Sequence, residues 1–164
     1  MRSFFTFPDP VNEVAARLVA GGVVAMTALF LASGFSPLLL VIAYGFVARV
    51  LAGARISPLG LLVTRVVEPR VGIAPRLTPG PPKRFAQGIG ASLSLVAAVS
   101  YFALGLEPLA YVCTAAILVA ASLESFLGYC LGCKIFALLM RFGVIPESVC
   151  ETCADISRRR PAAL

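Results

Sequence analysis

Four apolar runs, each close to the length needed to cross a lipid bilayer, constrain this chain more than any other feature. They cover about 14–33, 37–51, 85–105 and 109–127. A helix needs roughly 20 predominantly apolar residues to traverse the hydrocarbon core. Backbone polar groups find no water there, so spanning segments must satisfy their hydrogen bonds internally, as helices do. The expected class is therefore all-α: a four-transmembrane-helix bundle over 1–127, followed by a cysteine-rich helical tail over 128–164. Composition supports lipid as the solvent, with 59% hydrophobic and 13% charged residues, against about 45–50% and 25% in soluble domains. A domain this small leaves too much surface to hide that excess in a soluble core. Three spans, with a weaker run lying flat, is the alternative.

Punctuation residues set the order of elements. Asn12 is placed to cap the first helix, with Glu13 in its first turn, and Arg17 is close enough to the end to snorkel. The acidic Asp9 and Glu13 ahead of the first apolar run argue against a cleaved signal. The turn 33–37 permits only an antiparallel return. Ser57-Pro58 reads as a helix start. Leu59, Leu62, Val63 and Val66 then recur at helical spacing, which predicts a short amphipathic helix on the membrane surface, ended by Pro69. The stretch 70–84, rich in proline and glycine with four basic residues, is expected to be an extended, solvated loop. Gly88, Ala91, Ser92, Ser94, Ala97 and Ala98 supply the third span with small residues for close helix packing.

The turns after the first and third spans contain no Lys or Arg. Positive residues stay cytoplasmic, so both termini and the central connection are expected on the cytoplasmic side of the membrane. The net charge of +6 thus has a topogenic explanation. Its placement beside apolar spans, without interleaved aromatics, argues against nucleic acid. Histidine is absent, which removes imidazole as metal ligand or general base.

Chemistry concentrates in the tail. Cys130 and Cys133 form one C-x-x-C pair, and Cys150 and Cys153 form a second. Between them Ile135, Leu138, Leu139 and Phe142 mark a short helix that Gly143 stops. A second short helix from Pro146 would fold back antiparallel and bring the pairs toward each other. Three readings compete. In the first the pairs are redox or sulfur-handling thiols, because a cysteine at a helix N-terminus has its pKa lowered by the amides there. In the second, Cys130, Cys133, Cys150 and Cys153 hold a structural zinc, for which two C-x2-C pairs at this separation are suitable. In the third they only pack as small apolar residues, which is also the expectation for Cys113 within the fourth span. A structural disulfide does not suit a reducing cytoplasm. Glu124, a carboxylate near the end of the fourth span, is costly there. It is expected to reach headgroups, to pair with Arg17 or Arg49, or to serve as a proton acceptor beside the thiols or part of a binding cavity.

The segments FPDPVNEVAARLVAGG, ISPLGLLVTRVVEPR, GPPKRFAQGIG and LESFLGYCLGCKIFALLMRFGVIPESVCETCADI resemble a bacterial, actinobacterial-type integral membrane family catalogued as domain of unknown function 4395. By that resemblance Cys130, Cys133, Cys150 and Cys153 match the family's cysteines. It implies work beside a thioredoxin-like protein or a rhodanese-type sulfurtransferase. The leading expectation is a membrane-anchored, cytoplasm-facing thiol or persulfide module, a thiol oxidoreductase if it is an enzyme, with quinone as a conceivable electron acceptor. The alternatives are a non-enzymatic scaffold with a four-cysteine zinc site and a transporter of a small sulfur species.

Overall fold

The computed structural model describes residues 10–72, 74 and 76–145. Four of its helical segments are long and apolar enough to cross a membrane, the second being the continuous run Pro37–Arg70. α1 is Glu13–Ser33, α2, the first part of that run, is Pro37–Ala52, α5 is Gly80–Phe102 and α6 is Glu107–Leu127. Between α2 and α5 run a 3-10 turn (Gly53–Arg55), α3 (Pro58–Leu62), a π-helical turn (Val63–Val67) and α4 (Glu68–Val71). A final helix, α7 (Leu131–Arg141), follows α6. Two short strands, β1 (Val11–Asn12) and β2 (Leu77–Thr78), pair antiparallel with Val11 opposite Thr78.

The long helices pack in the order α1–α6–α5–α2, while α1 and α2 touch less. The gap between those two is filled near one end by α3, whose Leu59 sits so close to Gly22 that a Cβ there would lie 2.6 Å from its Cδ1. Among the described residues the core has three apolar clusters, the smallest of them Ala15, Val19 and Val63 beside α3. Of the larger two, one is built on Val23, Ile42, Phe46, Ala91, Ile117 and Ala121; the other on Phe30, Leu39, Ala97, Ala98, Ala110 and Cys113. Outward positions such as Val112, Val119, Leu40 and Tyr44 are also apolar and exposed. Apolar faces on both the inside and the outside are what a bundle bathed in lipid requires.

Start and stop signals behave as their chemistry dictates. Asn12 caps α1 by accepting from the Val14 amide at 3.0 Å, and Ser57 caps α3 by accepting from Gly60. Cys113 packs in an apolar layer. Three expectations need correction. Pro69 does not end the central helix: it lies at the start of α4, and the chain continues to Gly72, in the left-handed region at φ +64°. A proline in the first turn lacks only an N–H that would be an orphan anyway. The solvated loop is shorter than 70–84, because Pro81 and Pro82 lie in the first turn of α5, which starts at Gly80. Gly88 and Ser92 do not pack against a neighbour: nothing approaches the Gly88 Cβ position and Ser92 is exposed. Close approach occurs instead at Gly90, where a Cβ would lie 2.2 Å from the Phe46 ring. The last helix, α7, leaves Ile135 and Leu138 exposed and packs on α5 through Gly132 and Phe136.

Candidate functional site

The tight junction of α6, α7 and the start of α5 assembles the chemically capable side chains. Gly128, at φ +66°, turns the chain out of α6, and Arg17 from α1 secures that end by donating to the carbonyls of Ser125 and Phe126. Two residues later Cys130 becomes the N-cap of α7. Its sulfur accepts from the Cys133 amide at 3.4 Å, the role normally filled by a Ser or Asp oxygen. α7 is held in place by Gly132, where a Cβ would lie 2.5 Å from the Ala86 Cα. Phe136 adds a ring contact to Phe85, with centroids 5.6 Å apart.

This geometry brings the two sulfurs of the pair to 2.7 Å, with the Cys133 thiol donating to Cys130. Both cysteines carry free thiols and are half-buried. The thiol of Cys133 donating to Cys130 holds Cys130 below the ordinary thiol range, against burial and the Glu124 carboxylate, which push it up, and with smaller help from the Lys83 charge and the Cys133 amide. Cys133 is pushed upward, because losing its proton would give up that bond and place two negative sulfurs together. The pair therefore has one thiolate-prone member and one proton-holding member, the arrangement by which C-x-x-C motifs divide nucleophile and partner.

Beneath the cysteines lies a buried polar cluster. Lys83 of α5 and Glu124 of α6 form an ion pair at 2.6 Å, with side chains only 10% and 14% exposed. Arg49 of α2 donates from Nε to Gln87 Oε1 at 2.8 Å, donates to Ser57 Oγ at 3.4 Å, and stacks 4.5 Å over the Phe46 ring. Glu124 was expected to pair with Arg17 or Arg49. Instead Lys83 takes the carboxylate and Arg17 is committed to carbonyls. The helix start at Gly80 explains why, since it places Lys83, Gln87 and Ser94 on the inward face at helical spacing.

Two cavities meet at this cluster. One, of about 240 Å³, lies within the bundle between α1, α2, α5 and α6 and is lined at one end by Arg49, Gln87, Glu124 and Cys130. The other, of about 180 Å³, lies beside β1 and α4 and is lined by Asn12, Thr64, Glu68, Arg49, Lys83 and Gln87. Arg49 and Gln87 border both. Asn12 donates to Glu68 across the second cavity, tying the start of α1 to α4.

Of the anticipated site residues, Cys130, Cys133 and Glu124 converge. Cys150 and Cys153, with the second short helix from Pro146, lie outside the described residues. No group of three or more Cys, Asp or Glu side chains among the described residues is placed to hold a metal ion; the four-cysteine set needs both members of the second pair. Lys83 and Gln87 were not anticipated, and Arg49, expected as a partner of Glu124, bonds Gln87 and Ser57 instead. Lys83 was hidden by treating its prolines as loop residues, and the double proline followed by an inward i, i+4 pair was the available signal.

Comparison with known proteins gives the chain a family but no activity. Searches of curated proteins and of solved structures return no match. A family model matches residues 11–141, a range that takes in all the long helices, Lys83, Glu124 and the first cysteine pair, and stops short of the second. The chain belongs to the family described as Domain of unknown function (DUF4395).

Proposed function

We propose that this protein is a thiol–disulfide or persulfide exchange module of a bacterial plasma membrane, presenting Cys130 and Cys133 on the cytoplasmic face to a soluble thioredoxin-like or sulfurtransferase partner. One observation carries the reading. Cys130 caps α7 and accepts hydrogen bonds from both the amide and the thiol of Cys133, which favours its thiolate and holds a second thiol within bonding reach. The clustering of basic residues on the connections at one end of the bundle supports the cytoplasmic orientation.

The chemistry balances without a cofactor. The Cys130 thiolate attacks one sulfur of a partner disulfide, an S–S bond to Cys130 forms, and the partner's other sulfur leaves as a thiolate. Cys133 then gives up its proton and attacks the Cys130 sulfur. The partner departs as a dithiol, leaving a Cys130–Cys133 disulfide. The same steps in reverse oxidise a partner dithiol. With a persulfide partner, Cys130 attacks the terminal sulfur, which moves onto Cys130 as the partner thiolate leaves. Exchange of this kind depends on thiolate fraction, access and leaving group, and the cap position supplies the first of these.

Trapping tests the exchange. Cys133→Ser leaves Cys130 without its resolving thiol, so a soluble thioredoxin-like protein presented in disulfide form is expected to accumulate as a mixed disulfide on Cys130. Cys130→Ser should accumulate none at Cys133. Equal trapping on both variants, or on neither, contradicts the assignment.

A further inference from the structure

We propose that the larger cavity binds the ring of a lipid-soluble quinone, which takes two electrons from the Cys130–Cys133 pair. The inference rests on the dithiol reading above and names its co-substrate.

Shape and lining carry it. The walls are apolar, formed by residues such as Val19, Val23, Phe46, Leu93 and Ile117, while the polar groups gather at one end. Among the lining residues Ala116, Leu131 and Ile135 are exposed. The cavity therefore opens laterally between α5 and α6 beneath α7, through an apolar rim on the face turned to lipid. A ligand entering there must be soluble in the bilayer. At about 240 Å³ the space falls below the roughly 300–1,000 Å³ that encloses drug-sized ligands. It has room for one ring, with an aliphatic tail left in the window.

The polar end suits a quinone's two carbonyl oxygens. Arg49, buried at 5% exposure, and the amide of Gln87 supply hydrogen-bond donors, and Cys130 forms part of the same wall. Lys83 and Glu124 stand between this cavity and the smaller one, where Asn12, Thr64 and Glu68 continue the polar groups, giving protons a route that avoids the apolar wall. The balance is closed. A Cys130 thiolate, a Cys133 thiol, one proton delivered at the Lys83–Glu124 pair and one quinone give a Cys130–Cys133 disulfide and one quinol. The S–S bond forms, the Cys133 S–H bond breaks, and both quinone carbonyls become hydroxyls.

The test uses the full chain, reduced and placed in lipid nanodiscs, with decylubiquinone as the probe and diamide as an oxidant that needs no cavity. Decylubiquinone is expected to form the Cys130–Cys133 disulfide with one quinol produced per disulfide. Ala120→Phe, which fills the cavity beside its window, should slow this at least tenfold. Val119→Phe, whose wild-type side chain is exposed on the outer surface, should leave it unchanged. An azido-quinone should label wild-type peptides containing Ile89 or Ala116, a readout that does not depend on a variant folding. A pair that diamide oxidises and decylubiquinone does not would overturn the quinone inference alone. Equal rates in Ala120→Phe with labelling elsewhere would do the same. A pair that neither reagent converts to the disulfide overturns the dithiol reading as well.

Discussion

At the scale of single residues, the consequential feature is the unequal sharing of one proton between two sulfurs. Cys130 is held below the ordinary thiol range by the donated Cys133 thiol. Its thiolate is therefore present at pH values where a free cysteine is still protonated. Alkylation of Cys130 by iodoacetamide should rise with pH around a midpoint below that of a free cysteine, and Cys133→Ala should move that midpoint upward by removing the donor. An unchanged midpoint would show that Cys133 does not set the reactivity of Cys130. The Lys83–Glu124 pair makes a second prediction. Removing one partner of a buried pair leaves the other charge uncompensated, at a cost of about 3–5 kcal/mol. Lys83→Met and Glu124→Leu should each lower stability by that order, and the double variant should recover much of the loss in a chemical-denaturation cycle. The cap position of Cys130 was legible in the sequence, because Gly128 marks the break before an apolar helical run. Lys83 was not, since its inward direction depends on where α5 begins.

At the scale of elements, α7 decides whether the cysteines form a site. It has to lie against α5 closely enough to carry Cys130 to the polar cluster, and Gly132 is the point of nearest approach. A Cβ there meets the Ala86 backbone at 2.5 Å, and backbone cannot swing aside as a long side chain can. Gly132→Val should lift α7, weaken the Phe85–Phe136 contact, and lower the alkylation midpoint of Cys130, because burial and the Glu124 carboxylate, which push that thiol up more than Lys83 pulls it down, are left behind. Gly90→Val, against Phe46, should cost stability through overpacking, about 1–3 kcal/mol, without moving that midpoint. Periodicity found α7 but did not say which face it packs: Ile135 and Leu138 are exposed while the smaller Gly132 makes the helix contact. Pro69 misled because proline stops a helix interior but is tolerated where a new turn begins.

At the scale of the whole molecule, bilayer physics made most of the architecture readable. Run lengths and short turns give the antiparallel up-down order, and the four spanning helices start or end within a few residues of the expected positions. The order α1–α6–α5–α2 was not readable, because it depends on which small residues meet which rings, as with Gly90 and Phe46 or Gly22 and Leu59. The cavities follow from that order and were equally hidden. The proposed orientation has a direct check. A cysteine introduced at Phe35, in the turn between α1 and α2, should react with an impermeant maleimide on intact cells. Reaction only after lysis would invert the topology and place Cys130 and Cys133 outside the cytoplasm.

The central claim is that Cys130 and Cys133 form a working dithiol on a membrane-embedded bundle. The most direct measurement is a thiol count with metal analysis on anaerobically purified full-length protein, before and after oxidation and re-reduction. The account predicts reversible loss and return of two thiols, mapped to Cys130 and Cys133, in metal-free protein. One zinc per chain masking Cys130, Cys133, Cys150 and Cys153 together would contradict it and make the tail a structural scaffold.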